Sequence, residues 1–178
     1  MRQFTPHASR LTMIILQSER LYVRRYQPSD LGDFHLLTGD PDVMRYIRPV
    51  KSLEETRQFL EENLAFYNEY PNLGRWALLN RDKDSIIGSF SLLPLEHTDD
   101  IHIGYALQRP YWGLGYATEI VKVGIRHAFE KIGLPTLTAV IYPANEASAK
   151  VLDKTGFRFE RSFEEEGKES YLYRLDRV

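Results

Sequence analysis

Tyr111-Trp-Gly-Leu-Gly-Tyr-Ala-Thr118 is the stretch on which the reading of this chain turns. It separates a segment of strand periodicity, Ile101 to Leu107, from a long segment of helical periodicity. In that second segment Tyr116, Ala117, Ile120, Val121, Gly124, Ile125, Ala128, Phe129 and Ile132 recur near 3.6 residues and mark one buried face. Gly133 and Pro135 supply its stop. Two glycines let a ligand approach the backbone closely, and a helix N-terminus offers unpaired N–H groups with a partial positive charge. An anion site made of backbone is therefore one reading of the stretch; an ordinary strand-to-helix turn is the other. Dinucleotide and P-loop fingerprints are both excluded, because Thr118 holds the third glycine position and Gly-x-x-x-x-Gly-Lys is absent.

Upstream, Arg20 to Tyr26 alternates and reads as a strand, and Gln27-Pro-Ser-Asp30 reads as a turn with a helix cap. A short helix follows through Leu31, Phe34, Leu36 and Leu37. Asp40-Pro-Asp42 caps another short helical piece that Pro49 closes. Ser52-Leu-Glu-Glu55 matches a capping box for a longer helix. Its stripe is Leu53, Leu60, Leu64 and Tyr67, widened by Phe59 and Phe66. The period then becomes two. Arg75 to Leu79, a strand with Ile86, Gly88, Phe90 and Leu92 on one face, and Ile101 to Leu107 predict a three-stranded meander. On the last strand Ile101, Ile103, Tyr105 and Leu107 share a face opposite His102, Gly104 and Ala106.

Downstream, Thr136 to Tyr142 reads as a buried strand. Asn145 opens a helix through Val151 and Leu152 that Gly156 stops, and a hairpin closes around Glu164-Glu-Glu-Gly167. Residues 1–13 read as a tail and 14–178 as one domain, a mixed α/β (α+β) fold with helices flanking a central sheet.

Composition removes whole classes of function. The 178 residues include no Cys, which excludes thiolate nucleophiles, zinc ribbons and iron–sulfur ligation, and no metal site is expected. A net charge of −2 gives no basic footprint for nucleic acid. No apolar run approaches the ~20 residues of a membrane span. Nothing argues for export, so a cytoplasmic location is the default.

A second constellation, Asn145-Glu-Ala-Ser148 with Gly156-Phe157, tips the balance on the glycine loop. With Arg20-Leu, Arg24, Gly104-Tyr105 and Tyr-Trp-Gly-x-Gly-Tyr-Ala-Thr-Glu119, it resembles the GNAT superfamily of N-acetyltransferases. The likeness is strongest to the ribosomal-protein-alanine (Rim-type) branch and runs over roughly residues 18–176. It implies a single GNAT-type domain with a twisted mixed sheet, and acetyl transfer from acetyl-CoA, as cosubstrate, to a primary amine. The backbone from Trp112 through Gly113, Leu114, Gly115 and Tyr116 to Ala117, with Thr118, would then cradle the pyrophosphate. Strand 101–107 would splay from strand 136–142, and the pantetheine arm would pair at Ala106 and Leu107, where an N–H polarises the thioester. Asn145 would bond the arm and Ser148 would lie near the sulfur.

Two positions depart from the family pattern. Pro110 stands where the loop often begins with Arg or Gln. Leu152 stands where many members place a thiolate-protonating Tyr, which shifts that role to Ser148 or water. His102 occupies the slot where the Rim-type branch often has Glu, and an imidazole there can accept a proton directly or through water. The alternative for His102 is a half-exposed sheet residue without a chemical role. Ser148 and Asn145 also have ordinary readings as helix-cap residues. Asp99 and Asp100 read as turn residues, and Lys150 and Lys154 as surface charges. The Glu164–Glu166 run reads first as a solvated turn and second as an acidic lip that attracts a cationic amine. The acceptor would be a small molecule or a protein N-terminus, and the fold leaves room for a homodimer. Two other functions remain at this stage: an acyl-CoA sensor with little turnover, and a nucleotide-binding domain.

Overall fold

The computed structural model describes residues 13–165 and 167–178; the expected tail, apart from Met13, and Glu166 lie outside them. Eight strands form one mixed sheet in the order β1-β2-β3-β4-β5-β6-β8-β7. They are β1 Ile14–Gln17, β2 Leu21–Arg24, β3 Gly74–Asn80, β4 Ser85–Pro94, β5 Ile101–Leu107, β6 Thr136–Ile141, β7 Arg158–Glu165 and β8 Lys168–Asp176. The helices are α1 Leu31–Thr38, α2 Pro41–Met44, α3 Leu53–Glu69, α4 Tyr116–Arg126 and α5 Glu146–Lys154. Every pairing is antiparallel except β5 with β6. No helix among the described residues is long and apolar enough to cross a membrane.

The expected meander is β3-β4-β5, and the expected closing hairpin is β7-β8. β1 is an addition. Its four residues are Ile14, Ile15, Leu16 and Gln17, with Leu16 buried and Ile14 exposed, and a strand of that length leaves little alternation to read. The capping box at the start of α3 is closed in both directions, with Glu55 N–H on Ser52 Oγ at 3.2 Å and Ser52 N–H on Glu55 Oε2 at 2.7 Å.

The two faces of the sheet bury different helices. On one face Phe34 and Leu60, from α1 and α3, pack with Ala77, Leu79 and Ile86. On the other, Ile120, Val121 and Leu152, from α4 and α5, pack with Leu78, Ile87, Phe90, Leu92, Ile103 and Leu137. One sequence expectation is corrected here. Ile86 does not share a face with Phe90 and Leu92, because Leu78 pairs with Gly88 while Leu79 pairs with Ile86. Ile87 is an extra residue in the ladder, and a bulge shifts the phase of every side chain beyond it. On its other edge β4 keeps regular register with β5, and the Ile87 carbonyl accepts Gln108 N–H at 2.9 Å, which anchors the end of β5.

α4 lies close on the sheet because Gly124 has no side chain. A Cβ there would strike the Phe90 ring. Past Arg126 the helix widens into a π turn, His127–Ile132, and ends at Gly133 with φ of 84°. Gly124→Val should destabilise the fold by about 2 kcal/mol through overpacking. A lowered urea midpoint with an unchanged slope checks this.

Candidate active site

Between β5 and β6 only one residue pair is in register, His102 with Thr138. Thr138 Oγ1 also donates to the Ile101 carbonyl at 3.3 Å. Beyond this pair the strands part. The orientation of the β5 main chain follows from its β4 side. Gln108 N–H bonds to Ile87, and a side chain on Gly88 would collide with the Ala106 carbonyl, so Ala106 and Gln108 face β4. By strand alternation Leu107 and Tyr105 turn their N–H and C=O groups into the gap. Of the two residues expected to bind the arm, only Leu107 therefore offers its main chain. Ala106 packs its methyl group against Leu37, Val43 and Met44 on the opposite helices. The Leu107 carbonyl is taken by Trp112 Nε1–H at 2.7 Å, which leaves its N–H.

The loop that follows is a run of unspent donors. Trp112 N–H is engaged, because it closes a 3-10 turn on Arg109 at 3.1 Å. From Gly113 through Thr118 no N–H has a hydrogen-bond partner among the described residues; the first helical bond is Glu119 N–H to Gly115 O at 3.1 Å. Gly113 and Gly115 sit at φ of 72° and 80°, a left-handed conformation that side chains disfavour. Gly115 is the N-cap of α4 and has no side chain to spend on those donors. The result is a concave row of N–H groups at a positive helix end, the arrangement that binds phosphate.

A brace that the sequence reading quoted without assigning it a role holds this loop. Glu119 accepts from Ser18 Oγ at 2.6 Å, Arg20 N–H at 3.0 Å and Arg20 Nε at 2.6 Å. Arg20 Nη1 donates to Leu114 O at 3.1 Å, and the guanidinium lies 4.5 Å from the Tyr116 ring centroid. Pro110 belongs to the same 3-10 turn, and its neighbour Arg109 pairs with Asp40 at 2.9 Å and Asp42 at 3.3 Å, which ties the loop to α2.

On the α5 side, Asn145 Oδ1 caps the helix by accepting Ser148 N–H at 3.2 Å, while its amide NH2 has no partner among the described residues. Ser148 Oγ lies beside the Tyr105 phenol, which is buried without a closed hydrogen bond. Burial raises the Tyr105 pKa, and Ser148 opposes the rise. Tyr105 stood in the motif, but only the fold shows its hydroxyl unpartnered next to Ser148. Leu152 is core, Lys150 and Lys154 are exposed, and Trp112 is 47% exposed.

His102 lies on the α1–α3 face, half-buried. Burial first, then the charges of Arg75 and Arg48, push it down to about 4. Asp100 is committed elsewhere, to Arg174 at 3.0 Å. The described charges that act on His102 are cationic, the opposite sign to the acidic lip considered from sequence.

The sequence matches the family profile described as "Acetyltransferase (GNAT) domain" over residues 20–158. The chain belongs to the GNAT acetyltransferase family. It is an acetyl-CoA-dependent N-acetyltransferase. Among curated relatives, the uncharacterized N-acetyltransferase YoaA of Bacillus subtilis is 29% identical over 150 residues, 82% of this chain and 84% of that one. The fold matches a GNAT-family acetyltransferase from Bacillus anthracis with a TM-score of 0.80 and 24% identity, covering 92% of this chain and 98% of that one. It also matches RimL, a ribosomal L7/L12 alpha-N-protein acetyltransferase in complex with coenzyme A, with a TM-score of 0.79 and 19% identity over 92% and 98% of the two chains.

Two outcomes are expected of this GNAT site. Glu119→Gln and Arg20→Gln should each weaken CoA binding about ten-fold in calorimetry, with the fold retained, because the donors of the loop lose their brace. The second concerns stability. His102 has a lower pKa folded than unfolded, so the unfolded chain holds its proton more firmly between pH 6.5 and 4. Its contribution is complete above about pH 6.5 and is lost as pH falls toward 4, up to about 3 kcal/mol. The difference in unfolding free energy between wild type and His102→Gln should shift by that amount over this window.

Proposed function

We propose that this GNAT enzyme holds acetyl-CoA and an amine together and transfers the acetyl group directly, with residues 14–178 as the catalytic unit. The observation that carries the proposal is the alignment of the gap beyond His102–Thr138 with the free N–H groups from Gly113 to Thr118. Acetyl-CoA supplies the acetyl group as a thioester whose thiolate is the leaving group. The N–H groups of Gly113 to Thr118 would take its pyrophosphate, and the Asn145 amide and the main chain of Leu107 and Tyr105 its pantetheine arm. Trp112 would contribute through its grip on Leu107 rather than through its own N–H.

Direct transfer is supported by what the nucleophile candidates lack. The chain has no Cys. Ser148 Oγ has no carboxylate or imidazole hydrogen-bonded to it among the described residues, so nothing there activates it for attack. N–H groups turned into the gap are donors for the oxygen on which charge develops. The Ser148 and Tyr105 hydroxyls are the protons available on the α5 side, where the departing sulfur would be.

His102 is neutral at pH 7 and keeps a free lone pair. With a pKa of about 4 it is a poor direct base for an ammonium, so it acts by holding the water that accepts the proton. Arg75 and Arg48 add a positive field that lowers the acceptor ammonium's own pKa and so favours the free amine.

The acceptor is a small amine or a protein N-terminus. RimL's described activity on a protein α-amine supports the second, and the half-buried position of His102 supports the first. Thiol release from acetyl-CoA in the presence of a panel of amines tests the proposal. His102→Gln should cut kcat about ten-fold with the acetyl-CoA Kd within two-fold of wild type. Tight CoA binding without thiol release from any amine would instead make the chain an acyl-CoA sensor.

A further inference from the structure

Six arginines of the described chain have carboxylate partners: Arg20, Arg24, Arg45, Arg57, Arg109 and Arg174. Half-buried Arg25 donates to the Pro71 carbonyl. Arg48 and Arg75 are also half-buried, yet among the described residues neither guanidinium has a hydrogen bond or an ion pair. They come from different parts of the chain, the segment after α2 and the second residue of β3, and converge on one ring. Each guanidinium carbon lies 4.8 Å from the Phe59 centroid, and Lys51 Nζ lies 5.1 Å from it. Phe34 stacks against the same ring at 5.4 Å.

The cluster costs energy as it stands. Burial and the charge of Arg48 drive Arg75 down to about 10, and burial lowers Arg48. Cation–π contact with one shared phenyl ring returns less than two half-buried guanidiniums lose in hydration. A general surface charge does not explain it either, since the whole chain carries −2. Five donors on each guanidinium, arranged to fork around an oxyanion, are left over.

The cluster also has a place in the active site. Arg75 pairs with Ser91 on β4, and Ser91 with Gly104 on β5, so the side chains of Arg75, Ser91 and His102 project from one face of the sheet. That face is opposite the α4–α5 side, at the end of the gap where β5 and β6 still touch. A cosubstrate anchored at Gly113–Thr118 and laid along the gap runs from Leu107 toward this end. An acceptor arriving from the α1–α3 face would meet its acetyl end beside Arg75.

Resting on the acetyl-transfer reading above, we propose that the acceptor is a small amine that also carries an oxyanion, a carboxylate or a phosphate, which Arg48 and Arg75 bind while the amine faces His102. Polyamines are disfavoured by the same field. Lys51 adds charge at the rim, and Phe59 holds the three cations in place.

The test compares matched acceptors: ω-amino carboxylates against n-alkylamines, and aminoalkyl phosphates against aminoalkanols, by thiol release. At least one anionic series should exceed its neutral partner by ten-fold or more in kcat/KM, and which series does so identifies the source of the anion. Arg48→Gln and Arg75→Gln should each erase that preference, raising KM for the anionic amines by ten-fold or more beyond any change for the neutral ones, while the CoA Kd stays within two-fold. Arg48 lies outside the sheet, so its variant decides the matter if Arg75→Gln fails to fold. Calorimetry of the same amines on the CoA-loaded protein gives a readout without turnover. Binding of an anionic amine by wild type and not by Arg48→Gln supports the site even where no thiol is released. Equal use or binding of neutral and anionic amines, or equal loss of both in the variants, overturns it and leaves acetyl transfer standing. Failure to bind acetyl-CoA overturns both.

Discussion

One unfinished pairing organises this molecule. Backbone N–H and C=O groups inside a protein require partners, and a sheet supplies them strand by strand. Here β5 and β6 meet at His102 and Thr138 and then part, although both belong to the same continuous sheet. The Leu107 N–H of β5 faces the gap, and in the next segment of chain, Gly113 to Thr118, six more N–H groups have no partner among the described residues at the start of α4. Both sets are neighbours in sequence and in space because the strand leads directly into the loop. In the proposed complex a pyrophosphate at the loop and an extended amide-bearing arm in the gap would satisfy them together.

The surrounding parts keep that opening in place. Gly124 lets α4 sit against Phe90, the Ile87 carbonyl holds Gln108 N–H at the end of β5, and Trp112 reaches back to Leu107. The Ser18–Arg20–Glu119 brace ties the loop to the N-terminal strands. The two faces of the opening differ in chemistry. The α4–α5 side presents hydroxyls and an amide, from Tyr105, Ser148 and Asn145. The α1–α3 side presents an imidazole among guanidiniums. Under the proposed direct transfer, a thiolate departing on one side and an amine entering from the other would be served by different residues, and the two reactants would be bound at once.

Much of this was legible in the sequence because it is local. The capping box at Ser52, the left-handed stops at Gly133 and Gly156, the meander and the phase of β5 depend on a few adjacent residues. The glycine loop and Asn145–Ser148 were legible through family resemblance. What escaped depends on contacts between distant segments. The bulge at Ile87 exists only in the register of β4 against β3, and no periodicity within β4 alone announces it. Which of Ala106 and Leu107 faces the gap is settled by the β4 ladder. Arg48 and Arg75 stand 27 positions apart with no local signal that links them, and only the fold brings both to Phe59. His102 was legible as a candidate, but its weak basicity comes first from burial between distant segments and then from those two arginines.

The central claim is that the unpaired main chain of β5 and of Gly113–Thr118 is the CoA site. Amide hydrogen exchange, read residue by residue with and without CoA, tests it most directly. CoA should slow exchange at Gly113 through Thr118 and at Leu107, while the amides of Trp112 and Gln108, already bonded, change little. Protection confined to other segments, or none at saturating CoA, would contradict the account and return the loop to the role of a structural turn.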